Sequence, residues 1–310
     1  MDVSVIIPTY NRLWSLPAAI NSCLETKCST EIIVIDDGST DGTWEWLQDQ
    51  KNIIKYKQDN WGKCWAVNYA YNKASGKYIR FLDSDDCLNK HANDEQFELA
   101  QKNDADIVVS GYKIIDEKDV LVKTQDWIEC DDFIAQQLGE CDSSHYSAYL
   151  FKKSFLADIP HRPDFAFRDD RLLVLEAALK DPKVTVHDNH SLLHRHHSNK
   201  RLQFNLGTQQ TVQNYQHFRL YQKILNKLQE GGNLNSRRIN AAINILAPLS
   251  HWIAKDNIKD GEAVYNYILS LKPDFEITKI GVATKLYEHL GFKKTSELLF
   301  LRRLIKSALS

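Results

Sequence analysis

Short apolar, β-branched runs alternate with stretches of helical spacing through the first hundred residues. Residues 3–7 (VSVII) are apolar apart from Ser4, as expected of a strand buried on both faces. Leu13, Leu16, Ile20 and Leu24 then recur at helical spacing over 13–25. Residues 32–35 form a second buried run, followed by a turn of Asp, Gly and Ser, and Trp44 and Leu47 mark another helix. Residues 53–56 read as a third strand, 66–74 as a helix and 78–82 as a fourth strand. This βαβαβαβ order predicts an α/β fold, a mostly parallel, doubly wound sheet covered on both faces. From about Ile107 the pattern loosens into shorter strands and one helix over 171–180. Beyond about Leu202 it becomes helical, over 213–228, 238–254 and 263–271. A boundary near Lys200 therefore divides a domain of residues 1–200 from a C-terminal helical appendage of 201–310.

In such sheets ligands bind beyond the carboxyl ends of the strands. The polar residues of this chain gather there. Thr9, Tyr10 and Asn11 follow the first strand, Asp36, Asp37, Gly38 and Ser39 the second, and Asp83, Ser84, Asp85 and Asp86 the fourth. Three such loops can converge on one cleft.

Composition narrows the field. The 310 residues are 43% hydrophobic and 26% charged, ordinary globular values that exclude a disordered or fibrous chain. A formal net charge of -2 gives no basic excess for a nucleic-acid partner. Six cysteines without CxxC pairing read as reduced thiols. With no signal-peptide pattern and no apolar run near the roughly 18 residues of a membrane span, the expectation is a cytoplasmic protein. Contact with the inner face of a membrane stays open to it.

The sharpest chemical signal is FLDSDD, residues 81–86. Three carboxylates at the end of a buried strand repel one another and lose solvation, so they call for counter-charge. A divalent cation supplies it, and hard oxygen ligands suit Mg²⁺ or Mn²⁺. An acidic turn capping the next helix is the plainer explanation, and IDDGSTDGT (35–43) is equally ambiguous alone.

Taken in order, SVIIPTYNR, IIVIDDGSTDGT and KASGKYIRFLDSDD closely resemble glycosyltransferase family 2, a large inverting family built on the A-type glycosyltransferase fold. The resemblance is strong over about the first hundred residues, looser over 143–198 and absent from the helical tail. It implies that Pro8, Thr9, Tyr10 and Asn11 meet the nucleotide, and that Asp37 accepts a hydrogen bond from the base imide, which favours a UDP-sugar donor. Lys63, in NWGKCWAVN, matches a basic loop beside the nucleotide. Asp83, Ser84 and Asp85 match the DxD motif, with Asp83 toward ribose and Asp85 on the metal. In PDFAFRDDRLLVLEAAL, Asp170 matches the general base that deprotonates the acceptor hydroxyl, and Asp169 stands where the family usually has Glu. Helix N-capping explains the same Asp pair.

LLHRHHSNK (192–200) resembles the segment ending in Tyr-Arg-x-His. Arg195 and His197 fall on Arg and His, implying support for the diphosphate and a second metal ligand. His194 replaces the Tyr, and the usual Pro-Gly is absent. A histidine cluster also admits zinc, though nothing else has structural zinc spacing. An Arg common in relatives is Val67 here, with Lys63 or Arg168 as substitutes. His145, Tyr146 and the loop 161–167 are candidates for lining the acceptor pocket.

The implied acceptor is a glycan or lipid-linked saccharide, and the implied setting is bacterial surface polysaccharide synthesis, in capsule or lipopolysaccharide. Leu298, Leu301, Leu304, Ile305 and Leu309 share one helical face among Arg302, Arg303 and Lys306. Packing on preceding helices, peripheral membrane contact and homodimerisation each explain it. Two other functions fit the pattern: a sugar nucleotidyltransferase, disfavoured because PTYNRLWSLP lacks the Gly-rich loop, and a catalytically silent sugar-nucleotide or glycan-binding module.

Overall fold

The computed structural model describes residues 1–199, 208–277 and 284–308. The chain divides into two compact units, Met1–Phe133 with Asp142–Asn199, and Ile134–Cys141 with Lys200–Ser310. The boundary expected near Lys200 falls outside the described residues.

The first unit opens with β1 (Val3–Thr9), α1 (Leu16–Asn21), β2 (Thr30–Asp36), α2 (Thr43–Gln48), β3 (Ile54–Lys57), α3 (Lys63–Lys73) and β4 (Tyr78–Phe81). Every residue of β1 is buried, which is why its sequence shows no alternation. The strands β3, β2, β1 and β4 lie side by side, all parallel. The chain therefore steps outward from β1 to β3, then returns to the other side of β1 at β4. That reversal opens a crevice beyond the strand ends.

The sheet continues with β5 (Cys87–Leu88), α4 (Ala92–Asn103), β6 (Ile107–Ile115), β7 (Leu121–Gln125), β8 (Leu150–Lys152), α6 (Asp169–Ala178) and β9 (Val184–Arg195). β8 joins β4 to β6, antiparallel to both, and β9 runs parallel to β6 with shifts of register at Gly111. The two-residue β5 then pairs antiparallel with the end of β9. β5 therefore places Asp83–Asp86, just ahead of it, beside His194 and Arg195. The first helix is shorter than its spacing predicts, because Pro17 in its first turn allows a start there but not upstream continuation. α6 begins two residues earlier than predicted, at Asp169, which places both aspartates in its first turn.

The second unit holds α5 (Phe133–Leu138) beyond its first residue, α7 (Thr208–Glu230), α8 (Ser236–Asp256), α9 (Ile258–Leu271) and α10 (Thr284–Ala308). α5 sits against α8 so closely that a Cβ on Gly139 would lie 2.6 Å from Ile245 Cγ1. Tyr221 donates to the Leu138 carbonyl at 3.0 Å, tying α7 to the same segment. α10 breaks at Gly291, where φ is 74°. Beyond the break, Phe292, Thr295 and Ser296 are buried, whereas Leu298, Leu301 and Ile305 are 47%, 54% and 60% exposed. The apolar stripe seen in the sequence is thus not packed on preceding helices at these three positions. Leu309 lies outside the described residues. No helix among the described residues is long and apolar enough to cross a membrane.

Candidate active site

The loops after β1, β2 and β4 are fastened to one another. The Asn11 amide donates to Ser39 Oγ at 2.8 Å, and Thr40 N donates back to Asn11 Oδ1 at 2.7 Å. Arg12 N reaches Thr43 Oγ1 at 3.2 Å, and Leu13 N reaches Asp41 Oδ2 at 3.2 Å. Ser15 Oγ donates to the carbonyl of Ser84 at 2.9 Å, linking the first loop to the third. Asn11 sits at φ 52°, a left-handed conformation that Asn tolerates better than most residues. Gly38, at φ 78°, lets the second loop pass Asn60, whose amide nitrogen would stand 3.0 Å from an added Cβ. Pro8 lies opposite Ile35 within the sheet, Thr9 is buried, and Tyr10 is exposed at the rim.

Asp37 lies at the floor between these loops. Its Oδ1 accepts from Gln58 Nε2 at 2.6 Å and from the Trp61 and Gly62 amides at 3.0 and 3.2 Å. Oδ2 accepts from Gly62 N at 3.1 Å. Burial raises its carboxyl pKa, against the opposing pull of these donors. Gln58 is a partner the sequence reading missed, because its distance of 21 residues along the chain hides it.

Each carboxylate of residues 83–86 has its own partner. Asp83 pairs with Lys63 Nζ at 2.8 Å. Asp85 Oδ2 lies 2.9 Å from His197 Nε2 and 3.5 Å from Arg12 Nε. The buried Asp86 accepts from the Arg195 amide at 2.9 Å and faces His194 Nδ1 at 3.1 Å. Lys63 and Arg12 bring positive charge to Asp83 and Asp85, while Asp86 is met by a backbone amide and an imidazole nitrogen. Arg12 was legible only as the last residue of PTYNR, and nothing in that motif alone marks it.

The expected metal pair, Asp85 and His197, does come together, and the His197 side chain is fully buried. A carboxylate oxygen beside an imidazole nitrogen is a donor set that suits Mn²⁺ better than the oxygen-seeking Mg²⁺. A second group, Asp86, His145 and His194, offers ligand atoms within 4.8 Å of one another. There, however, Ser147 N donates to His145 Nδ1 at 3.3 Å, and the two imidazoles stack at 4.6 Å. Burial, then the neighbouring His194, lowers the pKa of His145. The Arg195 guanidinium meets Asp119 and Cys87 Sγ. The residue's backbone amide meets Asp86.

Lys63 connects the strand ends to α6. Burial alone would lower its pKa, but Asp83, Asp169 and Asp170 outweigh burial and hold it well above the ordinary lysine value. Asp169 is buried and accepts from His161 Nδ1 at 2.7 Å, while the half-buried Asp170 accepts from the Arg171 amide at 2.7 Å. Burial works to raise the Asp169 pKa; the His161 bond and Lys63 overcome it and leave it below the usual carboxylate value. Tyr146 and His161, candidates for the acceptor pocket, are 6% and 3% exposed, and His161 lines a cavity of about 260 Å³ together with Asn68, Tyr71 and Phe81. Val67, which replaces the family's Arg, is a core residue.

The family model described as "Glycosyl transferase family 2" matches residues 4–157. Glycosyltransferase GlyG of Streptococcus pneumoniae is 32% identical over 123 residues, 38% of this chain and 41% of that protein. The Escherichia coli UDP-Glc:alpha-D-GlcNAc-diphosphoundecaprenol beta-1,3-glucosyltransferase WfgD is 34% identical over 125 residues, 39% of this chain and 49% of that protein. The matching segment thus spans less than half of each relative. Among solved structures, S. aureus TarS 1–349 in complex with UDP-GlcNAc has a TM-score of 0.57 at 15% identity, covering 94% of this chain and 92% of that one. That likeness concerns the fold, which is the α/β sheet and C-terminal helices expected of the A-type architecture. With residues 4–157 matching the family model and the three strand-end motifs carried on this sheet, this segment of the chain belongs to glycosyltransferase family 2.

Proposed function

We propose that the first unit transfers a sugar, with inversion, from a UDP-sugar to a hydroxyl of a glycan or lipid-linked acceptor, in bacterial surface polysaccharide synthesis. The observation that carries this reading is the Lys63–Asp83 ion pair at 2.8 Å, with Asp169 and Asp170 close enough to act on the same ammonium. It brings the donor-side acid and the α6 acids to one cleft. The UDP-Glc donor of WfgD and the UDP-GlcNAc bound to TarS support a nucleotide-sugar donor by analogy.

Asp37, already fixed by Gln58, Trp61 and Gly62, presents its outer oxygen to the imide of uracil. Pro8, Thr9, Tyr10 and Asn11 form the wall beside the base, and Ser84 continues it toward the sugar. Lys63 holds Asp83 in place for the ribose. Asp85 and His197 would hold Mn²⁺ or Mg²⁺, which when bound supplies Lewis-acid stabilisation of the charge developing on the leaving diphosphate. Asp170 takes the proton from the acceptor hydroxyl as that oxygen attacks the face opposite UDP.

The exposed Leu298, Leu301 and Ile305, flanked by Lys294 and Arg302, favour peripheral contact with an anionic membrane over a homodimer. Two copies of this face would set like charges against each other.

The test is transfer by Asp170→Asn. Donor binding should persist while turnover falls by about 10²–10⁴-fold, the usual contribution of a general base. Near-normal turnover would assign the base elsewhere.

A further inference from the structure

The general-base reading leaves a buried polar chain beside Asp170 unexplained. His161 Nδ1 lies 2.7 Å from Asp169 Oδ2, and His161 Nε2 lies 2.8 Å from the Tyr146 hydroxyl. All three side chains are interior. Such a chain is costly to leave partly satisfied and specifies one arrangement when complete. An ionised Asp169 only accepts, so Nδ1 is the donor in that bond, and with the ring's other nitrogen unprotonated the Tyr146 O–H donates to Nε2.

The chain ties three elements together. Asn68, on α3, clamps the His161 backbone twice, accepting from its N–H at 2.9 Å and donating to its carbonyl at 2.8 Å. Tyr146 stacks on Phe81 at 5.1 Å with 15° between the rings, and Phe81 lies two residues before Asp83. The Lys63 ammonium stands 5.8 Å from the Tyr146 ring centroid while bonding Asp83. His161 therefore binds the first turn of α6, through Asp169, to the helix that carries Lys63 and to the strand that carries Asp83. Asp170 is the next residue along that first turn. Its distance from the donor loops follows from where Asp169 is held.

We infer that His161, with Tyr146 behind it, is a positioning residue for the transfer reaction: it sets Asp170 against the donor site without touching either substrate. The inference rests on Asp170 being the base. A base displaced by about 1 Å loses roughly 10²-fold in rate.

The experiment measures UDP release from UDP-glucose and UDP-GlcNAc with Mn²⁺, together with the ¹⁵N spectrum of the His161 ring. His161→Ala should lower kcat by about 10²-fold with KM for donor changed less than about twofold. His161→Asn, whose amide can still donate to Asp169, should recover most of that loss, and Tyr146→Phe should lose less than His161→Ala. In the Asp170→Asn background, His161→Ala should add no further loss, because the two act as one unit. The wild-type ring should be protonated on Nδ1.

An Nε2-protonated ring overturns the inference whether or not a donor turns over. So does a His161→Ala enzyme with unchanged kcat, or one whose loss is wholly in KM and is not restored by His161→Asn. If Asp170→Asn itself turns over normally, the base assignment fails first. If Asp170→Asn is crippled and His161→Ala is not, only the positioning role fails.

Discussion

Two acidic clusters face the same lysine, and the protein treats them differently. At the end of β4, Asp83, Asp85 and Asp86 are each matched by a separate partner: Lys63, then Arg12 with His197, then His194 with the Arg195 amide. In the first turn of α6, Asp169 is drawn into the interior by His161 while Asp170, one residue on, stays half-buried and accepts from the Arg171 amide. Under the proposed function, the first cluster would exchange these partners for a cation and diphosphate, and the second would separate a structural carboxylate from the proposed base. Environment, more than residue type, divides the roles of neighbouring acids.

The largest effect that can break this comparison comes from α6. Asp170→Asn should lower kcat by about 10²–10⁴-fold with thermal stability nearly unchanged. Asp169→Asn should do the reverse in emphasis, lowering the melting temperature by several degrees, as expected when a buried bonded charge is lost. Equal melting temperatures for the two variants would erase the distinction.

At the β4 cluster, Asp85→Ala should weaken metal-dependent UDP binding at least about tenfold, the scale on which metal ligation responds to lost partners. Because these carboxylates already have partners within the protein, EDTA should leave the melting temperature where it was. A large EDTA-induced drop would mean that the cation is part of the fold.

A pH series sharpens the contrast further. Asp169 has a depressed folded-state pKa, so it binds fewer protons folded than unfolded. Its stabilising contribution is complete above the unfolded value near 3.9 and is lost as pH falls through the lower folded value. Wild type should therefore lose melting temperature more steeply than Asp169→Asn as pH falls below about 4. Parallel curves would remove Asp169 from the account. The smallest effect is expected at the other unit, where Leu301→Asp should reduce sedimentation with phosphatidylglycerol vesicles while leaving UDP release unchanged.

Much of the first sheet was legible because β1, β4 and the later residues of β2 are buried on both faces and read as apolar runs, broken by Ser4 in β1 and by the buried Arg80 in β4. The later strands were not. β5 has only two residues, and β9 (VTVHDNHSLLHR) is rich in polar side chains and shifts register against β6. Neither has a period that a local pattern can reveal. Asp37, Asp83, Asp85 and Asp86 were legible for the same reason as the strands, since they follow buried runs. The partners of the site's carboxylates were not: Arg12, Gln58, His161 and His194 meet them from loops and strands distant in sequence. His161 and Tyr146 read as loop residues facing a substrate, whereas folding buries both.

The most direct test of the central claim, that the loops after β1, β2 and β4 form a metal-assisted uridine diphosphate site, is calorimetric titration of UDP. It is run on wild type with Mn²⁺ and with EDTA, and on Asp85→Ala and Asp170→Asn with Mn²⁺. Binding should appear in wild type with Mn²⁺, vanish with EDTA and in Asp85→Ala, and survive in Asp170→Asn. UDP affinity indifferent to both EDTA and Asp85→Ala, or no UDP binding at all, would contradict the account.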